Sequence, residues 1–282
     1  MANQTIALLH PGNMGSTIGA AAATSGARVL WSSQDRSEAS RKRANVAGLE
    51  DAKTLGAAVD QADIVLSVCP PDAAVDVAKS VAEKNFSGIY VDANAVSRAT
   101  AEQIGGIVTK AGASYVDGGI IGAPVKQSGT TRLYLSGERA EQIAALFSQS
   151  MLDARPISRV PGEASALKVA YAAWTKGTDA LILAIRAYAE AEGVQNALLQ
   201  EWKVSQPALE KKLERAAAAA APKAWRFVGE MEEIAAAFKI AGLPPGFHQA
   251  AAELCERLAV FKDMTEPPLS VQKVVSELLK QQ

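Results

Sequence analysis

Two stretches of this 282-residue chain hold residue types and spacings that can do chemistry. The first is Leu9-His10-Pro11-Gly12-Asn13-Met14-Gly15, set between the apolar run Thr5-Ile6-Ala7-Leu8-Leu9 and a run of small residues over 16–25. A strand, a tight glycine-bearing turn and a helix start aim free N–H groups and the positive end of a helix dipole at one spot. A dinucleotide's pyrophosphate sits at such a spot in a Rossmann unit. Gly12 and Gly15 fill the second and third places of the glycine pattern, where backbone approaches the phosphates and helix packs on strand. Gly12, Asn13 and Met14 are the expected phosphate contacts. His10 holds the place of the first glycine and reads as a turn residue rather than a base.

The second stretch is Gly162-Glu163-Ala164-Ser165-Ala166-Leu167-Lys168, the head of a long helical pattern over residues 164–192 that is apolar on most of its circumference. Burying an ammonium is costly unless it has partners or a task. Desolvation lowers a lysine's pKa, as a general acid working near neutral pH requires. Alternatively, the stem packs while the head snorkels to water. Lys176, two turns on, lies near the same face as Ala172, Thr175 and Asp179. It either binds an anionic group of a substrate or pairs with Asp179.

A third cluster bears on cofactor choice. After the second apolar run, residues 28–31, the chain reads Ser32-Ser33-Gln34-Asp35-Arg36-Ser37. A carboxylate at that strand end binds the ribose hydroxyls of NAD, whereas hydroxyls and an arginine suit the 2′-phosphate of NADP. Ser33, Arg36 and Ser37 point to NADP. Asp35, if it stands at the strand end instead, points to NAD.

The elements that position these residues alternate. Strands are expected over 5–9, 28–31, 64–68, 88–92, 114–117 and 133–137, and helices over 16–25, 37–47, 73–84, 100–111 and 139–148. That alternation means βαβ units and a mostly parallel, doubly wound sheet. From Gly162 onward no convincing strand occurs, and helices are expected over 164–192, 207–221, 225–240 and 247–261, with a last one after Pro267-Pro268. The expected organisation is an α/β dinucleotide-binding Rossmann domain over residues 1–160. An all-helical substrate and dimerisation domain follows over 161–282.

Composition narrows the classes. Net charge is −1 and no basic stripe occurs, which argues against a nucleic-acid partner. The two cysteines, Cys69 and Cys255, lie far apart and outside any metal-ligand spacing, so they read as free thiols of a reducing cytosol and no metal is expected. The N-terminal residues lack the charged and apolar regions of a signal peptide. The most apolar long stretch is broken by Lys176, Asp179 and Arg186, so no membrane span is expected. A cytoplasmic protein follows from these signs.

In order and spacing, residues 9–15, 63–71, 88–97, 116–122 and 162–168 resemble the β-hydroxyacid dehydrogenases. That superfamily includes 3-hydroxyisobutyrate dehydrogenase and the N-terminal domain of 6-phosphogluconate dehydrogenase, and the imine reductases are its relatives. The resemblance implies a Rossmann domain, a helical C-terminal domain, an active site between them and a catalytic lysine, matched here by Lys168. Cofactor contacts are further expected from Cys69, Pro70 and Asn94, with Asn94 as a hydrogen-bond donor near the nicotinamide, and substrate contacts from Asn94, Gly119, Ile121, Gly122, Tyr171 and Lys176. Three departures stand out against the family: Ala172 where many members carry Asn, Asn94-Ala95 in place of Ser-Thr, and Ile121-Gly122-Ala123 in place of Ser-Gly-Gly. Those positions usually hold a small carboxylate, so their loss points away from an ordinary 3-hydroxy acid.

The expected activity is hydride transfer between a nicotinamide cofactor, NADP or else NAD, and a small carbonyl or hydroxyl compound, with Lys168 as general acid and base. An NADPH-dependent imine reductase is the alternative that Tyr171 keeps open, and a non-catalytic NADP-binding regulator is the other. A first helix so apolar implies a homodimer built through the helical domains.

Overall fold

The structure, a computed structural model, describes residues 4–280. In the first half the elements are β1 (Thr5–Leu9), α1 (Asn13–Thr24), β2 (Arg28–Trp31), α2 (Glu38–Val46), β3 (Glu50–Asp51), α3 (Leu55–Val59) and β4 (Ile64–Ser67). After them come α4 (Ala74–Ala82), β5 (Ile89–Asp92), α5 (Arg98–Lys110), β6 (Ser114–Gly122), β7 (Thr131–Ser136), α6 (Ala140–Ala145) and β8 (Asp153–Ser158). The eight strands form one sheet in the order β3-β2-β1-β4-β5-β6-β7-β8. All neighbours pair in parallel except β6 and β7, which are antiparallel.

A parallel sheet is covered on both faces, which is why its strands read as nearly unbroken apolar runs. Alternate residues feed two separate cores. Ile6, Leu8, Val29, Ile64, Leu66 and Val91 pack with α1, α2 and α6 on one face. Ala7, Leu9, Leu30, Val65 and Tyr90 pack with α3, α4 and α5 on the other. The winding reverses between β1 and β4, and the crevice outside the carboxyl ends of those strands is where such sheets bind ligands.

Three elements of this half were not expected from the sequence: β3, α3 and β8. β3 is two residues long, and β8 reads Asp153-Ala154-Arg155-Pro156-Ile157-Ser158, half-buried at best along its length and without a clean alternation. β6 also runs further than expected. Residues 118–122, beyond the expected strand end at 117, continue the strand and pair with residues 131–135 of β7.

The remainder is helical: α7 (Glu163–Ala191), α8 (Gln195–Ser205), α9 (Leu209–Arg215), α10 (Ala224–Ile240), α11 (Gly246–Arg257) and α12 (Val271–Leu278). The chain divides into two compact units, Met1–Lys168 and Val169–Gln282. The second has a core of its own, in which Leu183, Met231, Ile234, Leu258 and Val274 are buried. Two sequence expectations change here. α8 was missed, and the helix expected over 207–221 is instead α9 followed by a π-helical turn at Ala216–Ala220 and a 3-10 turn at Ala221–Lys223. Pro222 is the cause: it has no N–H to give, and its ring collides with the carbonyl four residues back. Widening the turn removes that collision, and alanine is small enough to keep Ala216 and Ala217 fully buried. Among the described residues no helix is long and apolar enough to cross a membrane.

The start of α7 is tied to the sheet by a buried polar network. Asp117, at the point where β6 leaves β5, accepts hydrogen bonds from the Ser165 N–H (2.9 Å), the Ser165 hydroxyl (2.5 Å) and the Ser136 hydroxyl of β7 (2.8 Å). The Ser136 hydroxyl accepts in turn from the Ala164 N–H at 3.0 Å. A carboxylate at a helix start satisfies orphan donors and favours the dipole. Asp117→Ala leaves three buried donors without their anion. Urea denaturation should register a loss of about 3 kcal/mol or more, and a loss below 1 kcal/mol would show that the network does not hold the helix.

Candidate active site

The turn between β1 and α1 is built as the glycine pattern requires. Gly12 is the N-cap of α1, and no side chain caps that helix. The N–H groups of Asn13, Met14 and Gly15 therefore face outward from the helix start. A side chain on Gly12 would meet only open space, so backbone is accessible there, whereas one on Gly15 would collide with the His10 carbonyl oxygen. His10 itself adopts φ +69°, a conformation in which glycine is at home, and its carbonyl accepts the Gly12 N–H at 2.8 Å. The first place of the pattern thus demands left-handed backbone, and a histidine supplies it. From α2, Arg43 Nε braces the turn by donating to the Pro11 carbonyl at 3.2 Å.

Beyond β2 the chain turns sharply. Ser33 is buried; its N–H donates to Asp51 Oδ1 at 3.2 Å and its carbonyl accepts from Arg41 at 2.8 Å. Asp35 lies four residues past the end of β2, in the left-handed region at φ +57°. Ser37 caps α2, accepting the Ser40 N–H at 3.3 Å. Arg36 shares with His10, Ser32 and Asp35 the wall of a cavity of about 280 Å³. Burial draws the pKa of Arg36 down, and its Nε has no hydrogen-bond partner among the described residues.

At the ends of β4 and β5 the side chains interlock. Asn94 is buried, and its Oδ1 accepts the Cys69 N–H at 2.6 Å. Its amide nitrogen donates to Ser67 Oγ at 3.1 Å and to Asp92 Oδ1 in a short contact. Both amide hydrogens of Asn94 are thus used within the chain, which leaves only acceptor capacity for anything else. Pro70, next to Cys69, opens the 3-10 turn Pro71–Ala73. Burial pushes the Cys69 thiol up to about 12, so it stays a thiol.

Beneath Asn94 lies a feature that sequence reasoning missed. Tyr90-Val91-Asp92 and Tyr115-Val116-Asp117 are the same triplet at the ends of neighbouring parallel strands, and the register pairs them residue for residue. The repeated Tyr-Val-Asp was the available signal. Two carboxyl groups are thereby stacked in the interior. Burial first, and then the neighbouring Asp117, push Asp92 up to about 7, while its Oδ2 has no partner among the described residues.

On β6 and α7, Gly119 and Lys168 come together. A Cβ on Gly119 would stand 2.7 Å from the Ala164 carbonyl oxygen and 3.0 Å from Lys168 Cβ. Gly119 is therefore what lets the first turns of α7 lie directly on the strand. Ile121 is buried, and Gly122 has φ +125° with no room for a side chain against Thr130. Lys168 is half-buried, with no ion pair or hydrogen bond among the described residues, and burial alone draws its ammonium down to about 8. In the second unit, Tyr171 is exposed and Lys176 is engaged by Glu230 of α10. The Lys176 ammonium also lies over the Phe227 ring at 4.3 Å. Asp179 pairs with Arg215 at 3.4 Å, and the ion pair of Lys176 reaches across to Glu230 on another helix.

The model of the NAD binding domain of 6-phosphogluconate dehydrogenase matches residues 5–149, just over half of the chain. The chain belongs to the β-hydroxyacid dehydrogenase-like superfamily. Within this superfamily it carries a second match, over residues 189–258, to a domain of unknown function. A 28.5 kDa uncharacterized protein of Methanothermus fervidus is 32% identical over 165 residues, which are 58% of this chain and 63% of that relative's length. Among solved structures, 3-hydroxyisobutyrate dehydrogenase of Mycobacterium tuberculosis is similar with a TM-score of 0.69, 17% identity and coverage of 99% of this chain and 100% of that one. An imine reductase of Streptomyces aurantiacus is similar at a TM-score of 0.53, with 18% identity and coverage of 99% and 100%. These two share the fold. The matched family and the open turn at Gly12 agree on a nicotinamide dinucleotide as cofactor.

The Asp92 carboxyl titrates far above its unfolded value of ~3.9, so the folded state holds an extra proton between about pH 4 and 7. Stability therefore falls as pH rises through that window. Asp92→Asn keeps an acceptor for Asn94 but cannot ionise. Between pH 4.5 and 8 the wild type should lose about 2–4 kcal/mol relative to this variant in urea titrations. A pH-independent difference would mean that Asp92 does not titrate in this range.

Proposed function

We propose that this protein is an NADP-dependent oxidoreductase that reduces a small carbonyl compound, or oxidises the corresponding alcohol, with Lys168 as the general acid and base. The observation that carries the reading is a half-buried lysine with no partner among the described residues, on a helix laid directly on the sheet at Gly119. When bound, the nicotinamide supplies or receives the hydride. Lys168 holds a proton at Nζ and gives it to the developing alkoxide oxygen; in the reverse direction the neutral amine takes the alcohol's proton. Asn13, Met14 and Gly15 N–H groups receive the pyrophosphate, and Arg36, Ser33 and Ser37 receive the 2′-phosphate. The unpartnered, buried Nε of Arg36 supports the last assignment. The departures Asn94-Ala95 and Ile121-Gly122-Ala123 favour a carbonyl compound other than an ordinary 3-hydroxy acid.

Lys168→Ala should lower turnover by ~10²–10⁴-fold while the affinity for NADPH, read by its fluorescence, stays within about threefold. In the wild type the reductive rate should fall as pH rises through about 8, because the ammonium is the proton donor, and the oxidative rate should rise. Panels of keto acids, aldehydes and cyclic imines provide the substrates. Turnover by Lys168→Ala at the wild-type rate would exclude the lysine as catalyst, and reduction confined to imines would replace the carbonyl reading.

The protein is also proposed to act as a homodimer joined through α7. Within the second unit, Tyr171, Trp174, Thr178, Leu181, Ile185 and Tyr188 are spaced alternately by three and four residues, as along a coiled-coil seam. Trp174 and Tyr188 are 68% and 67% exposed, an arrangement that a second copy of the same helix would cover. Light scattering at micromolar concentration should give twice the mass of the chain, and Trp174→Glu should shift it toward the monomer. A monomeric wild type overturns this assignment.

A further inference from the structure

His10 is the one residue of the phosphate-binding turn that breaks the glycine pattern. Its backbone lies at φ +69°, and the residue after it is proline. A residue before proline is normally extended, and a side chain in the left-handed region costs about 1–2 kcal/mol that glycine would not. Strain retained at a binding turn points to a use for the side chain that causes it. His10 and Arg36 line the same cavity. Each also carries a buried ring or guanidinium nitrogen, His10 Nδ1 and Arg36 Nε, for which no hydrogen bond forms among the described residues. The neighbouring arginines are committed elsewhere, Arg41 to the Ser33 carbonyl and Arg43 to the Pro11 carbonyl.

We infer that His10 is a member of the cofactor's 2′-phosphate site, and that its imidazole takes up a proton as the phosphate docks against Arg36. The inference rests on the reading that Arg36 receives that phosphate.

The charges around His10 explain the direction. In the free protein, burial first and Arg36 second, opposed by the Leu9 backbone, hold its pKa at about 4, so the ring is neutral at physiological pH. Asp35 and Arg36 are the charged groups of the cavity wall, which Ser32 and Gln34 complete from the same turn, Ser80 and Val77 from α4 and Leu55 from α3. Cys69, near enough to act on Arg36, remains a neutral thiol, with Asp72 and Asp92 acting on it in turn. A phosphate monoester brings a charge near −2. Set against one guanidinium, it turns the local sum negative, and an imidazole beside it gains a proton from solvent. Binding then consumes a proton in the window above pH 4, and by linkage the affinity for NADPH rises as pH falls within that window. NADH has no 2′-phosphate and lacks this dependence.

The test is calorimetric titration of the full chain with NADPH and with NADH from pH 6 to 8.5, in two buffers of different ionisation enthalpy. It is run on the wild type, His10→Asn and His10→Gly. Asparagine and glycine both accept the left-handed conformation, so either variant keeps the turn, and thermal melts verify that. The phosphate's own second ionisation, near ~6, is common to all three proteins, so the difference between them isolates His10. The wild type should take up more protons per NADPH than either variant, by roughly 0.9 of a proton at pH 6.5. Its NADPH-to-NADH affinity ratio at that pH should exceed theirs by about tenfold and converge with theirs above pH 8. If NADPH is preferred but proton uptake and the pH profile are the same in all three proteins, the role of His10 is overturned and the 2′-phosphate reading stands. If the wild type binds NADH as tightly as NADPH, the 2′-phosphate reading itself fails.

Discussion

The arrangement of this protein's candidate active site depends on one buried carboxylate. Asp117 ends the parallel part of β6 and receives three hydrogen bonds, two from Ser165 and one from Ser136. It fixes where α7 begins and, because a helix is rigid over its first turns, where Lys168 stands one turn later. Gly119, two residues along the same strand, completes the constraint by lacking the Cβ that would push the helix away. Neither residue needs to touch a reacting atom. Together they convert a strand end into a surface on which a lysine is held without an ionic partner among the described residues.

The same sheet edge shows how a fold tolerates buried polarity. Asp92, Asn94, Ser67 and Cys69 satisfy one another across the ends of β4 and β5. Asn94 is the hub, with every amide hydrogen engaged, so its orientation is set by the chain and not by a ligand. The cost appears at Asp92, whose second oxygen and whose charge find no partner. A carboxyl in that position is held neutral more cheaply than ionised, because a lone buried charge costs far more than a protonated acid.

Much of this architecture was legible from the residues. β1, β2, α7 and α10 fall within a residue or so of where the apolar patterns put them, because long or strongly apolar segments declare their period. The glycine turn was legible for a local reason, since Gly15 is required by a carbonyl only five residues away. What stayed hidden depends on partners distant in sequence. β3 is a strand only because β2 lies beside it, and β8 only because β7 does. The partner of Lys176 is 54 residues away on α10, out of reach of any argument from helix spacing. Asp117 looked like an ordinary strand-end acid. Its neighbour-strand copy, Tyr90-Val91-Asp92, was visible as a repeat, but the register that stacks the two triplets comes from the sheet. The π-helical turn at Ala216–Ala220 was hidden by alanine's helix propensity, which says nothing about a proline two residues beyond.

Three titratable groups of the first unit share one physical situation. Asp92, Lys168 and His10 are each removed from water with no opposite charge to compensate among the described residues. Desolvation always favours the neutral form, so it drives the acid upward to about 7 and the bases downward to about 8 and about 4. Elsewhere on the same unit, carboxylates and cations are paired at the surface, as Arg28 is with Glu50 and Arg98 with Glu102. Such exposed pairs contribute little and respond weakly to a ligand. A group kept neutral by burial responds strongly, because a ligand that restores a missing charge changes its protonation outright. These unpaired, desolvated groups, more than the glycine turn alone, set this region of the first unit apart from its paired surface charges.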